Sequence, residues 1–528
     1  MPNPADASAK MKKSITIASL IMMGSVLLSR VMGMVREIVL AHLLGSSMEM
    51  DAYVAAFIIP EFLNHFLAGG FLSITFIPIF QKYVLSKERE KSWKAFSNLI
   101  TIGSIAFVLM IVASIVFTNQ IIGLMGHHIS RGPQRELTVY LTRIILPAQL
   151  FFYWGAFLMA VQYANHRFFL PALAPLFYNL GIIGCGWTLF RYCGVAGFAW
   201  GVLVGAFIGN VAIQLLGAIK VGMKFRPVFD IRDADFKKYI LLTLPLIVGL
   251  GMTFSNEVFF RFFGSFLGTG GLASINYSLR TMMPLVGVFG QASGVASYPF
   301  LSRLAAEQRI DEMNKLLNSI VLKIGVYIIP VSAVMIVLSE QIIAILFQHG
   351  RFTAEATANT APVLVIYLAG SFFFAASTIV MRNYYAMQNT AFPMIISTII
   401  AALSIPAYAL LSKKAGARGI AMSASAAMFA QFTFLYWFWS IKRKNIPGFL
   451  ENAGKIFKIA GISLAGATVC YIIKTGLINQ ALPGTGLIKN CIIAIVAGGP
   501  GLLFSFAILE TVKIGNNIDL VKRLFKKT

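Results

Sequence analysis

Along nearly its whole length the chain is a succession of apolar runs, each close to the length a helix needs to cross a bilayer, separated by short polar segments. The lipid interior has no water to satisfy backbone N–H and C=O groups. A spanning segment must therefore satisfy them within itself as a helix or pair them in a closed barrel. Barrel strands alternate polar and apolar over about ten residues, whereas the runs here are continuously apolar and rich in Leu, Ile, Ala, Gly and Phe. The expected fold class is thus an all-α polytopic membrane protein. With 58% hydrophobic and only 12% charged residues, few runs are interrupted. Their lengths predict about fourteen transmembrane helices, centred near residues 30, 68, 107, 150, 180, 207, 250, 288, 327, 370, 401, 428, 464 and 500.

A formal charge of +24 raises nucleic acid as a partner. Most of the cations, however, lie in short segments between runs, where the positive-inside rule explains them with no nucleic acid involved. KMKK, Lys82 to Lys94, Lys220 to Lys238, KRK at 442–444 and the tail VKRLFKKT fall on one side. That side carries roughly 28 Lys and Arg against about 9 on the other, so both termini are predicted to be cytoplasmic. MPNPADASAKMKK leads into an apolar run with no A-x-A-like site at its end, the pattern of an uncleaved first helix. Cys185, Cys193, Cys470 and Cys491 have no metal-ligand spacing and are expected to pack in or beside apolar runs. His127 and His128 belong to a loop, and no Walker A, metal-binding or catalytic pattern occurs. The expectation is a non-enzyme without cofactor or metal, driven by an ion gradient, the membrane potential or its substrate.

The chain repeats itself. YANHRFFLP at 163–171 returns as YAMQNTAFP at 385–393, GVAGFAW at 194–200 faces GARGIAM at 416–422, and Lys220 faces Lys442, all 222 residues apart. Earlier matches, such as Tyr53 with Tyr277 and Pro60 with Pro284, sit at 224, the mark of a small insertion. Six helices per copy give both copies one orientation, the parallel repeat of rocking transporters that bind substrate at the interface between halves. The expected domains are an N-lobe at 1–225, a C-lobe at 226–445, and a C-terminal pair of helices with a basic tail at 446–528.

Charges inside the runs mark the candidate site. The first run, LLSRVMGMVREIVLAHLLG at 27–45, contains Arg30, Arg36 and Glu37. A central Arg costs about 2.5–3.5 kcal/mol on insertion scales, while each Leu, Ile or Val returns only about 0.3–0.6, so these groups need partners or water. Arg30 and Glu37, seven apart, fall near one helix face across Gly33. Ser25, Ser29 and Gly33 form an i, i+4 stripe suited to close helix packing. In the second copy Glu257 and Arg261 are i, i+4, and Arg280 lies near Tyr277. Arg36, Arg261 and Arg280 brought to a shared midline would make a cationic cavity, and guanidinium groups match phosphate geometry. An anionic substrate is expected.

SRVMGMVRE at 29–37, MDAYVAAFIIP at 50–60, NHRFFLPALAP at 165–175 and FQHGRFT at 347–353 resemble the MurJ (MviN) lipid II flippase family, in the multidrug/oligosaccharidyl-lipid/polysaccharide exporter superfamily. The resemblance implies two six-helix lobes and two C-terminal helices forming a groove for a polyprenyl tail. It also implies a bacterial inner-membrane location and translocation of undecaprenyl-diphosphate-linked peptidoglycan precursor. Membrane lipids and cell-wall synthesis proteins are the implied partners. It makes Arg30, Arg36 and Arg280 the pyrophosphate ligands, with Asp51 a supporting acid. Where the family usually has Arg, often as a pair, followed by Glu-Gly, this chain reads FLNHFLAGG, with Asn64 and His65 at the pair and Gly69 at the acid. The acids flanking the family's helix 8 Arg align with Leu279 and Met283. Arg261 or a protonated His65 is expected to restore the missing charge for lipid II; otherwise the cargo is another lipid-linked glycan, or a small molecule moved by an ion-coupled exporter of the same superfamily.

Overall fold

A computed structural model describes residues 24–25, 27–67, 71–86, 88–126, 129, 131–251, 255–479 and 486–512. His127, His128, Gly69 and the basic tail lie outside them, and so does the expected helix centre near 68. The other thirteen expected centres all fall on helix, and no strand occurs among the described residues. Nine of the described helices are long and apolar enough to cross a membrane. Two short helices, Met48–Ala56 and Ser339–Phe347, were not anticipated.

The chain divides into two compact units, Met1–Leu40 with Met48–Phe254, and Ala41–Ser47 with Ser255–Thr528. Neither boundary coincides with the repeat. Residues 234–251, from the second copy, belong to the first unit, and the last turn of helix 27–44, from the first copy, belongs to the second.

In the first unit, Phe76, Phe80, Trp93, Phe96 and Phe157 form an aromatic core, with ring centroids 5.0–6.4 Å apart and largely edge-on. Such pairs add about 0.5–1.5 kcal/mol beyond their burial. Helices Phe169–Cys193 and Ala196–Ala206 meet through glycine: a Cβ at Gly181 would lie 2.4 Å from Gly205 Cα, and one at Gly201 2.7 Å from Ile182 Cα. Without a hydrophobic drive between helices in lipid, this closeness supplies the dispersion contact that holds them. Helix Ala234–Gly251 is tied in by Tyr83, whose hydroxyl donates to Asp235 at 2.7 Å, and by Thr243 donating to Thr75 at 3.2 Å.

In the second unit, helices Ile446–Asn479 and Gly486–Thr511 pack on Ile310–Val337 through Val334, Leu338, Cys470, Ile493 and Ala497, and through Leu322, Ile459 and Leu509. Cys470 therefore packs as expected, whereas Cys193 is exposed. A polar knot fixes one end of this bundle: Tyr436 donates to Asn318 Oδ1 at 2.6 Å, Trp439 Nε1 to Asn314 Oδ1 at 2.8 Å, and Asn452 Nδ2 to Asn318 O at 2.8 Å. The FQHGRFT loop grips the 41–47 segment. Arg351 N donates to His42 O at 2.9 Å and Tyr277 Oη to Gly45 O at 2.9 Å. A Cβ at Gly350 would sit 2.3 Å from His42 O, and one at Gly45 2.4 Å from Arg351 O. Both glycines also have positive φ, at 60° and 64°, so the interlock excludes side chains on two grounds.

The two copies share backbone as well as sequence. Gly194 and Gly416 have φ 57° with ψ −138° and −133°, a region open almost only to glycine. Each turns one helix back on itself. His166 and Gln388 have φ 57° and 58°, and Gly222 and Lys444 have 84° and 52°. All three pairs are 222 apart. The hairpins even share a contact, since Gly197 lies against Leu189 and Gly419 against Leu411, again at that offset.

Candidate functional site

The first unit holds its intramembrane charges on helix 27–44. Arg36 reaches back to its neighbour, donating from Nη2 to Glu37 Oε1 at 2.7 Å, and from Nη1 to Asn179 Oδ1 at 3.2 Å. Glu37 is buried at 3% exposure. Asn179 is oriented by its own helix: Nδ2 donates to Pro175 O at 2.9 Å, which leaves Oδ1 facing the guanidinium. A charge-assisted pair with an oriented amide holds Arg36 in one geometry while its side chain stays 18% exposed. The site thus keeps a fixed, partly open cation among apolar helices.

Sequence spacing puts Arg30 and Glu37 near one helix face; the structure also brings Arg36 onto Glu37, as an ion pair at 2.7 Å. Adjacent residues project about 100° apart on a helix, yet a long Arg stem can fold across that angle. Arg30 and Ser29 are half-buried on the same helix. The small-residue stripe is only partly a packing surface. Ser25 donates to Ala172 O, whereas a Cβ at Gly33 would meet nothing within 4 Å among the described residues. Asp51 is buried in the first turn of Met48–Ala56, where the helix dipole favours a carboxylate. Asn64 is half-buried on Ile58–Leu67; the side chain of His65 lies outside the described residues.

The second unit holds Glu257 and Arg261 on Ser255–Gly264 as the expected i, i+4 pair, Nη1 to Oε2 3.8 Å. Arg261 is 2% exposed and lies over the Phe260 ring at 4.9 Å, a cation–π contact that offsets part of its desolvation. Arg280 sits half-buried on Gly271–Leu285, one turn before Pro284 and the π-helical turn Val286–Gln291. A proline removes one ladder bond and a π-turn widens the helix, and both recur at functional positions. Asn179 was missed from the sequence. Its available signal was an amide one turn beyond a proline in an otherwise apolar run.

The sequence and fold have relatives. The family model described as lipid II flippase MurJ matches residues 40–485, a stretch that begins after Arg30 and Arg36. The probable lipid II flippase MurJ of Thermotoga maritima is 29% identical over 452 residues, 84% of this chain and 88% of that protein. A solved structure of lipid II flippase MurJ in an inward closed conformation is similar with a TM-score of 0.77 at 25% identity, over 93% of this chain and 99% of that one. An inward-facing multidrug resistance MATE family transporter of the MOP superfamily shares the fold at 14% identity, with a TM-score of 0.64 over 79% of this chain and 96% of that one.

Proposed function

The chain belongs to the MurJ lipid II flippase family, and from that premise we propose that it carries lipid II, a polyprenyl-diphosphate-linked peptidoglycan precursor, across the bacterial inner membrane by alternating access. It is a transporter and not an enzyme. Arg36 and Arg280 grip the diphosphate, helped by Arg30 and Arg261; Glu37, Asp51 and Glu257 position the arginines. Asn64 and His65 are further candidate contacts for the head group, and helices Ile446–Asn479 and Gly486–Thr511 carry the lipid tail. The observation that carries this reading is the fixed guanidinium of Arg36, held by Glu37 and Asn179 inside an apolar helix bundle. An intramembrane cation so costly to keep is retained for an anionic passenger.

The passenger must bind neither state too well, since a ligand that strongly prefers one conformation stalls there. An ion or the membrane potential supplies the drive, both termini face the cytoplasm on the charge count, and cell-wall synthesis proteins are candidate partners. The likeness to multidrug transporters is one of fold alone and does not favour a small-molecule cargo. The test is rescue of cells depleted of their own lipid II flippase. The intact chain rescues, and Arg36→Ala and Arg280→Ala, expressed to the same level, do not. Rescue that survives both substitutions would overturn the site.

A further inference from the structure

Between helices Ala196–Lys220 and Ala234–Gly251 of the first unit runs a non-helical strap, residues 221–233. It is tied to the early part of helix Arg89–Gly123. Asn98 Nδ2 donates to Asp230 O and Asp230 N to Asn98 Oδ1, both at 2.8 Å, and Arg226 N donates to Ser97 Oγ at 3.2 Å. A helix of 35 residues is about 52 Å long, against about 30 Å of hydrocarbon, so it projects beyond the core. Its cations, Arg89, Lys91 and Lys94, lie at its start, and its continuous apolar run begins at Leu99. Ser97 and Asn98 therefore mark the level where hydrocarbon gives way to head groups, and the strap lies at that level.

The strap and its flanks sort their side chains by sign. Residues 220–238 hold six Lys and Arg and three Asp. Each acid is used within the protein: Asp230 Oδ1 accepts from Arg232 N at 3.0 Å, Asp233 Oδ1 from Phe236 N at 2.9 Å, and Asp235 from the Tyr83 hydroxyl at 2.7 Å. The cations are not. Among the described residues the side chains of Lys220, Arg226, Arg232, Lys237 and Lys238 make no hydrogen bond or ion pair, and Lys224 has only Glu90 at 3.9 Å, with both groups exposed. Among these cations Phe225, Phe229 and Ile231 are 46%, 60% and 54% exposed. Large apolar side chains held open beside unpaired cations, at head-group level and between two membrane helices, make an interfacial anchor. We propose that the strap docks on the anionic phospholipid head groups of its own leaflet, with Arg226 and Arg232 taking phosphates while Phe225 and Phe229 enter the acyl boundary. Phospholipid is the occupant that both the charge and the level fit, since the strap is tethered to the bilayer at both ends. The strap also starts helix Ala234–Gly251, through the Asp233 cap and the bond from Tyr83 to Asp235, so lipid bound to it steadies the first turn of that helix. Nothing in this depends on the passenger.

The experiment is amide hydrogen exchange, read by mass spectrometry, on the full chain in nanodiscs of phosphatidylcholine with a rising fraction of phosphatidylglycerol. The amides of 223–233 exchange more slowly as phosphatidylglycerol rises, while those of helix Ala354–Ala386 are unchanged. Arg226→Gln and Arg232→Gln each raise the phosphatidylglycerol fraction needed for half-maximal protection about fivefold, the effect of one cation near an anionic surface, and Arg226→Lys leaves it where it was. Raising the salt to about 0.5 M weakens the protection, because exposed charges are screened. Phe225→Ser combined with Phe229→Ser lowers protection in discs of every composition. In all these variants helix Arg89–Gly123 keeps its own protection, which separates lost lipid docking from a lost fold. Protection equal in the two lipids, or insensitive to Arg226 and Arg232, overturns the proposal. Exchange that stays fast in every disc overturns it as well and leaves the surface to a protein partner. Failed rescue by the intact chain would remove the flippase reading while leaving these exchange curves unchanged, so the two fail separately.

Discussion

The two units solve the problem of an intramembrane arginine differently. In the first, Arg36 has a carboxylate at 2.7 Å and an oriented amide at 3.2 Å. In the second, Arg261 is more deeply buried, yet its pair with Glu257 spans 3.8 Å, and the Phe260 ring supplies part of its surroundings. A short charge-assisted hydrogen bond fixes direction more narrowly than an ion pair at 3.8 Å. The first unit thus sets its arginine against a carboxylate and an amide, and the second sets its arginine beside a more distant carboxylate and a ring face.

The sharpest way to break this contrast is to remove each arginine in turn. Arg36→Ala takes the 2.7 Å partner from buried Glu37 and is expected to destabilise the protein by about 3–5 kcal/mol. Arg261→Ala leaves a Glu257 that is one-third exposed and is expected to cost about 1–2 kcal/mol. Thermal unfolding in detergent measures both, and equal losses would dissolve the distinction. The repeat junctions should behave in the opposite way, alike. A Cβ at Gly194 or at Gly416 meets nothing within 4 Å among the described residues, so Gly→Ala at either position costs only its backbone conformation, about 1–3 kcal/mol. Unequal shifts would show that the shared backbone hides different strain.

Asn179→Ala removes one neutral partner from Arg36 and is expected to cost about 1 kcal/mol. Because Asn179 acts by positioning, complementation should slow rather than vanish, and Asn179→Gln should recover it less than Asn179→Asp. The smallest effect is at the exposed turn between helices Ala292–Ala306 and Ile310–Val337. There Arg303 and Arg309 donate to Glu307 at 2.7 and 2.8 Å and hold its carboxyl below the usual value of 4.5. A depressed carboxyl contributes above its unfolded value and loses that contribution as pH falls through the folded one. The difference in melting temperature between the intact chain and Glu307→Gln should be constant from pH 7 to about 5 and shrink as the pH falls below the ordinary carboxyl value of about 4.3. A difference that grew on acidification would refute the ion-pair origin.

Helices and repeat were legible because both are written in local pattern. Thirteen of the centres expected from apolar run length fall on helix, and the 222-residue offset reappears in three pairs of positive-φ residues. The pairing of charges was not legible in the same way. Helical spacing weighs Cβ directions, but a guanidinium stands several bonds away and can swing onto the carboxylate beside it, as Arg36 does. Asn179 comes from 143 residues away, so no local rule could nominate it. Gly33 looked like a packing residue because small residues at i+4 usually are, and only the neighbouring helices decide whether anything comes close.

The mismatch between repeat and unit has a consequence for engineering. Residues 41–47 are written in the first copy but fold with the second unit, and residues 234–251 are written in the second copy but fold with the first. A gene cut at the repeat boundary would therefore yield two polypeptides, each missing a piece of its own unit and carrying a piece of the other's. Neither half-length product could complete itself, whereas the two made together could exchange the missing segments.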